Sequence, residues 1–115
     1  MDIQVTRAGG AAIVLINGSL GAGDSEKLYE RRVGRLIDDG ERVLILDLSG
    51  VPRIDSIGLG GLVQMFVRMR NRGGNLKLAA PTPFVRNVLT ITKLSSVFEI
   101  HDSVEHAISP QPLTT

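Results

Sequence analysis

The feature of this sequence that most constrains its fold is a fully apolar segment followed by a glycine-rich one. Residues 43–46 are four consecutive apolar residues. Such a run predicts a strand that is buried on both faces, as at the centre of a sheet that helices cover. After a turn through Gly50 and Pro52, the chain reaches the segment 56–61, which contains three glycines. The sequence therefore predicts a central strand that leads into a glycine-rich helix.

Hydrophobic periodicity predicts the other elements. The predicted strands are 3–7, 11–17, 42–48, 75–79 and 98–101. Four helices are predicted: one that ends at Gly40, one from Ser56 to about Asn71, one that begins at Thr82 and Pro83, and one from Ser103 to about Ile108. Gly9-Gly10 is a signal for a tight hairpin between the first two strands. Two strands come first and helices then alternate with strands, which indicates an α/β fold. We expect a mixed sheet of four to five strands with about four helices packed on it.

Polar residues at the predicted helix starts are candidate caps. Asp24 or Ser25 is expected to cap the first helix, and Thr82 the third. The third helix is expected to turn an apolar side inward that includes Phe84 and Ile91. Residues 1–108 are predicted to form a single domain, and residues 109–115, which contain two prolines, a disordered tail.

Composition excludes several classes of function. The net charge of +1 and the aromatic content of 3% give no reason to expect a nucleic acid or an anionic membrane as partner. The absence of cysteine excludes disulfides, thiolate metal sites and thiol catalysis. His101 and His106 do not share a helical face with a third ligand, and neither belongs to a Ser-His-Asp set. We therefore expect no metal, no cofactor and no enzymatic activity.

The location of the protein follows from similar arguments. Residues 1–5 lack the basic region and apolar stretch of a signal peptide. The longest apolar run, residues 11–16, is much shorter than a membrane span. A cytoplasmic domain is the expectation.

Ser56 is the most distinctive polar residue, because it stands where the second helix begins. Helix starts carry unpaired N–H groups and a partial positive charge, which favour anions such as a phosphate. Ser56 is therefore either an ordinary helix cap or a residue that can accept a phosphoryl group, and Asp55 is the alternative cap. Gly58, Gly60 and Gly61 each cost up to ~1 kcal/mol of helix propensity relative to Ala. Their presence indicates either close approach of a partner or close packing of the helix on the sheet.

The central segment resembles the signature of the STAS domain, which sulfate transporters and anti-sigma-factor antagonists share. The resemblance is carried by Leu46-Asp47-Leu48-Ser49-Gly50-Val51 and by Ile54-Asp55-Ser56-Ile57-Gly58-Leu59-Gly60. The turn Arg72-Gly73-Gly74-Asn75 and the segment 85–97 are also similar to the family. The likeness spans about residues 3–108 and includes no transporter helices, which points to the stand-alone bacterial antagonists.

This resemblance implies a function and a set of partners. An antagonist of this kind binds an anti-sigma factor that is also a serine kinase, and so frees the sigma factor. The kinase phosphorylates the serine that corresponds to Ser56 and switches binding off, and a serine phosphatase restores it. The partner-binding residues implied by the resemblance are Asp55, Ser56, Ile57, Gly58, Leu59, Gly60, Ser19, Leu20 and Gly21.

One departure from the family keeps a second function open. Antagonists often carry an acidic residue soon after the glycine that ends the second strand, whereas this chain has Gly21 there. The alternative is an unphosphorylated STAS scaffold subunit of an ATPase or signalling assembly. A nucleotide-binding role for residues 58–61 is weaker still, because the glycine spacing fails and no P-loop lysine follows.

Overall fold

The structure, a computed structural model, describes residues 1–109, and residues 24–26 by their backbone alone. Its elements are β1 (Asp2–Ala8), β2 (Ala11–Asn17), α1 (Asp24–Asp38), β3 (Val43–Gly50), α2 (Ser56–Asn71), β4 (Asn75–Ala79), α3 (Pro83–Ile91), β5 (Glu99–His101) and α4 (Val104–Ile108), with a 3-10 turn at Leu94–Ser96 before β5. Gly23 stands at the cap position of α1, so the predicted cap at Asp24 or Ser25 is wrong, because the helical backbone already begins at Asp24. Residues 110–115 of the predicted tail lie outside what the structure describes.

The five strands form one mixed sheet in the order β1-β2-β3-β4-β5. β1 and β2 are antiparallel, and the other neighbours are parallel. Gly9 and Gly10 join the first pair with φ angles of 59° and 79°. Two consecutive residues at positive φ are typical of the hairpin turn whose twist matches that of the flanking strands. The α/β class and the mixed sheet predicted from the sequence are confirmed.

The sheet has two faces that are covered differently. Leu44 and Leu46 of β3 point to the larger core, which α1, α2 and α3 cover, and Ile45 points to the opposite face. There it packs with Ile13 against Ala107 of α4. Residues 44–46 are fully buried. The prediction that β3 is buried on both faces is therefore confirmed, although a single short helix covers the second face.

The sequence-based description of α3 was right about where the helix begins and wrong about two of its apolar residues. Thr82 occupies the N-cap position before Pro83, as predicted, but its hydroxyl makes no capping hydrogen bond and instead donates to the carbonyl of Val51 at 2.8 Å. Phe84 and Ile91, predicted to be buried, are 43% and 70% exposed. α3 has nine residues and buries only Val85 and Leu89 fully, so the helix presents a narrower apolar stripe to the core than its sequence indicates.

Two further findings concern the described part of the chain. None of its helices has the combination of length and apolar character that crossing a bilayer requires. Within residues 1–109, no three His, Cys, Asp or Glu side chains come together as metal ligands would.

Candidate functional site

The site lies at the carboxyl edge of the parallel strands, where the segments after β2 and β3 run side by side. The N–H of Leu20 donates to the carbonyl of Arg53, and the N–H of Asp55 donates to the carbonyl of Leu20, both at 3.1 Å. Leu20 and Ile54 form a parallel bridge beyond the ends of the strands. The β2–α1 loop is therefore fixed against the start of α2. In sheets of this kind, ligand-binding groups gather at this edge.

Asp55 caps α2 and also holds the neighbouring loop. Its Oδ1 accepts hydrogen bonds from the N–H groups of Ile57 and Gly58, both at 2.9 Å. Its Oδ2 accepts from the N–H of Ala22 at 3.2 Å. These backbone hydrogen bonds, led by those from Gly58 and Ala22, hold the pKa of the Asp55 carboxyl below its ordinary value. Asp55 is thus an ionised cap that joins two segments.

Ser56 is the first residue of α2 and not its cap. The prediction that Asp55 caps the helix is confirmed, and the alternative of Ser56 as an ordinary cap is wrong. The reason is the extended backbone at Asp55, with φ −103° and ψ −177°, which directs its carboxylate at the helix N–H groups. The side chain of Ser56 is exposed at this edge. Its hydroxyl therefore lies one residue beyond a negatively charged group.

The residues that follow Ser56 divide into exposed and buried ones. Ile57 is 45% exposed, and a Cβ added at Gly60 would meet no atom within 4 Å. Leu59 is half-buried against the core. Gly58 is buried, and a Cβ there would collide with the carbonyl oxygen of Leu20. Close packing within the chain, and not approach of a partner, explains that glycine.

The loop after β2 supplies the other predicted contact residues. Ser19 is exposed, whereas Leu20 is 1% exposed and belongs to the core. Gly21 is half-buried, and a Cβ there would lie 2.5 Å from Oδ2 of Asp55. An acidic side chain at this position would therefore compete for the space that the Asp55 carboxylate fills.

Sequence analysis missed two residues that border the site. Arg53 and Phe84 line a depression of about 450 Å³ together with Asp55 and the loop residues 19–22. The Arg53 guanidinium lies 5.3 Å from the centre of the Phe84 ring, a cation–π contact. An apolar residue in the first turn of a helix predicts burial in the core, so the sequence contained no signal that Phe84 faces this depression.

Comparisons with known proteins agree with this geometry. The family model of the STAS domain matches residues 2–107. BtrV of Bordetella bronchiseptica, named as a candidate anti-sigma factor antagonist, is 30% identical over 93% of this chain and 91% of its own length.

Solved structures show the same fold. A crystal structure of a candidate anti-sigma factor antagonist from Thermotoga maritima superposes with a TM-score of 0.86 at 26% identity, covering 92% of this chain and 91% of that one. The anti-sigma factor antagonist SpoIIAA of Bacillus has been solved unphosphorylated and phosphorylated, with TM-scores of 0.78 and 0.73 at 19% and 18% identity. These two structures cover 93% of this chain each, and 93% and 96% of the SpoIIAA chains. At that identity the likeness concerns the fold alone. The match of the family model over almost all of the described residues shows that this chain belongs to the STAS domain family.

Proposed function

We propose that this protein is an anti-sigma factor antagonist that is switched by phosphorylation of Ser56. In its unphosphorylated form it binds an anti-sigma factor that is also a serine kinase, and so releases a sigma factor. The kinase transfers the γ-phosphoryl group of ATP to the Ser56 hydroxyl, which ends binding, and a serine phosphatase removes it again. The protein acts in the cytoplasm as a binding module and not as an enzyme.

The observation that carries this proposal is the position of Ser56 one residue after the cap. Three hydrogen bonds to Asp55 hold the start of α2 and the adjacent loop. Because the Ser56 hydroxyl is not the cap, its esterification removes no capping interaction from the fold. It is also exposed, so a kinase can reach it. A residue that is dispensable for the fold and accessible at its surface suits a reversible modification.

Electrostatics explains how a phosphate ends binding without unfolding the protein. A phosphoserine adds roughly −1.5 to −2 charges at neutral pH. The positive end of the helix dipole stabilises such a charge by about 0.3–1 kcal/mol. The Asp55 carboxylate beside it is already ionised, so a partner that covers this edge would have to desolvate two adjacent negative groups. A penalty of only ~2.7 kcal/mol weakens binding about a hundredfold.

The relatives support the proposed role. BtrV and the protein from Thermotoga maritima are named as candidate anti-sigma factor antagonists, and both match more than nine-tenths of this chain. The fold is also that of SpoIIAA, an anti-sigma factor antagonist that has been solved in a phosphorylated form as well as an unphosphorylated one. The Asp55-Ser56 pair of the STAS signature lies at the start of α2, as the mechanism requires.

The first experiment tests whether Ser56 is the phosphoacceptor. The partner is captured from native lysate with the Ser56→Ala variant, identified, purified, and mixed with the wild-type protein and ATP. Intact-mass spectrometry should show the gain of one phosphoryl group. Ser56→Ala should gain none, whereas Ser19→Ala, which removes another exposed hydroxyl at the same edge, should still gain one. A phosphoryl group that persists in Ser56→Ala would contradict the proposal.

The second experiment tests the switch itself. Ser56→Asp should keep the thermal melting curve of the wild type and bind the purified anti-sigma factor at least about a hundredfold more weakly, measured by calorimetry. Ser95→Asp is the matched control, because it places the same charge on an exposed serine of the 3-10 turn before β5, away from this edge, and it should bind like the wild type. Equal affinity of the wild type and Ser56→Asp would show that the interface lies elsewhere.

The scaffold function keeps one observation in its favour. Gly21 stands where antagonists often carry an acidic residue, and Asp55 fills the adjacent space. A scaffold subunit would co-purify with an ATPase or a signalling assembly, and Ser56→Asp would leave that association unchanged.

A further inference from the structure

The exposed face of α2 is uncharged along most of its length. Beyond Ser56, this face presents Ile57, Gly60, Gln64 and Val67, which we call the α2 stripe. Ile57 and Val67 are 45% and 47% exposed, high values for large apolar side chains. The exposed residues of α1, in contrast, include Arg31, Arg32 and Arg35, so that helix has an ordinary solvated face.

The spacing of the α2 stripe places its four residues along one line. Intervals of three, four and three residues keep them on the same side of a helix, over about 15 Å at 1.5 Å per residue. Gly60 lies within this line, with open space where a side chain would be. A second helix can therefore approach closely near the middle of the stripe, with an apolar residue available at each end.

The α2 stripe is complementary to itself when it is reversed. In an antiparallel pair, Ile57 of one copy lies opposite Val67 of the other, and Gly60 lies opposite Gln64. An apolar residue thus meets an apolar residue, and the vacant site at Gly60 meets the long side chain of Gln64. A parallel pair would instead place Gly60 against Gly60 and leave a gap.

The charges at the ends of α2 favour the same orientation. Asp55 caps the N-terminal end, and the helix carries no acidic residue in its first turn. Arg68 and Arg70 stand in its last turn, and Arg70 is exposed, with its guanidinium 5.6 Å from the centre of the Phe66 ring. An antiparallel copy brings Arg70 towards Asp55 and Ser56 of the first copy, whereas a parallel copy would oppose like charges. The helix dipoles also attract each other only in the antiparallel arrangement.

We propose that two copies of this chain associate through α2, antiparallel and about a twofold axis, with the α2 stripe as the interface and Arg70 facing the Asp55–Ser56 end of the other copy. Such an interface is isologous, so each contact occurs twice. A single helix pair buries little area, so the dimer is weak and forms reversibly. This dimer would cover Ser56.

Sedimentation of the purified protein from about 10 μM to about 1 mM tests this proposal, because a weak dimer is populated only at high concentration. We expect a monomer–dimer equilibrium. Val67→Glu and Arg70→Glu should each raise the dissociation constant at least about tenfold, because each alters two symmetric contacts. Arg32→Glu, which makes the same charge change on α1, should leave it unchanged. Unchanged melting curves would show that the variants are folded.

The orientation is tested with Ser56→Asp. The new carboxylate would face Arg70 of the other copy, so this variant should dimerise more tightly than the wild type, and Arg70→Glu should remove the gain. A chain that stays monomeric up to about 1 mM, or a dimer that Val67→Glu leaves intact, would overturn the proposal. If the chain is monomeric and Val67→Glu weakens only its binding to the purified anti-sigma factor, the α2 stripe is a docking surface for that partner and the dimer is excluded. Phosphorylation of Ser56 is measured by mass in a separate reaction, so its failure and the failure of the dimer are distinguishable.

Discussion

Asp55 determines how the site is built at the scale of single residues. One carboxylate oxygen satisfies two N–H groups at the start of α2, and the other reaches the N–H of Ala22 in the loop before α1. The two segments come from different parts of the chain, yet their relative position depends on this one side chain. Gly21 completes the arrangement, because the Cβ of any larger residue at this position would lie 2.5 Å from Oδ2 of Asp55.

Replacement of Asp55 should separate its two tasks. Asparagine keeps an oxygen for the N–H groups of Ile57 and Gly58, but its amide nitrogen cannot accept from Ala22. Alanine loses all three hydrogen bonds. We therefore expect Asp55→Ala to lower the free energy of unfolding more than Asp55→Asn, measured by urea denaturation. Equal losses in the two variants would show that the bond to Ala22 carries the effect alone.

The free energy of unfolding that Asp55 contributes should depend on pH, which the wild type and Asp55→Asn can show. The folded state holds the pKa of Asp55 below its ordinary value of 3.8, because N–H groups donate to the ionised form. The stabilisation is therefore fully present above pH 3.8 and is lost as the pH falls through the lower folded-state pKa. The stability difference between wild type and Asp55→Asn should be constant near neutral pH and shrink in acid. A difference that grows in acid would contradict this account.

At the scale of elements, α2 shows why its glycines are not equivalent. Gly58 gives space to the carbonyl of Leu20, and Gly61 is buried, with its Cβ position 3.4 Å from the Tyr29 ring. Gly60 has open space and no neighbour in the described chain. Two of the glycines thus have reasons within the fold, whereas no contact among the described residues requires a glycine at position 60.

Alanine at Gly58 and at Gly60 should shift stability in opposite directions. Gly58→Ala forces a methyl group into the backbone of Leu20 and should cost about 1–3 kcal/mol of unfolding free energy. Gly60→Ala restricts the unfolded chain and fills no occupied space, so it should stabilise by about 0.5–1 kcal/mol. Urea denaturation of both variants checks the signs. A stabilising Gly58→Ala would show that the loop before α1 can move away from α2.

Much of this architecture could be predicted from the sequence, for physical reasons that differ between elements. The bounds of α2 and β4 agree with the prediction, because each has an apolar periodicity of its own and Gly73-Gly74 separates the two elements. The sequence left the cap of α2 open between Asp55 and Ser56, and it predicted burial for Phe84, which is exposed. Whether Asp55 or Ser56 caps depends on backbone angles, and the exposure of Phe84 depends on which residues of a short helix reach the core. The contact between Gly21 and Asp55 joins loops 34 positions apart, and no local pattern predicts it.

At the scale of the whole molecule, the sheet separates the site from the final helix. The larger core lies between the sheet and α1, α2 and α3, and α2 carries Ser56 at the edge of this layer. α4 packs on the other face, where Ala107 is fully buried among Ile13, Ile45 and Ala79. The side chain of Lys77 in β4 donates a hydrogen bond to the carbonyl of Ala107 at 2.8 Å, which links α4 to the sheet. The helix layer that carries Ser56 thus lies on one face of the sheet, and α4 lies on the other.

This separation predicts that damage to α4 lowers stability without changing the proposed phosphorylation of Ser56. Ala107→Glu forces a longer side chain into the packed space among Ile13, Ile45 and Ala79, beside Lys77, and overpacking of this kind should cost about 1–3 kcal/mol of unfolding free energy. Glu105→Ala, at an exposed position of the same helix, should cost little. Well below its melting temperature, Ala107→Glu should still accept one phosphoryl group on Ser56 at the wild-type rate, measured by intact mass, because β3 and the larger core stand between the two helices. A slower reaction in the folded variant would show that α4 communicates with the start of α2 through the sheet.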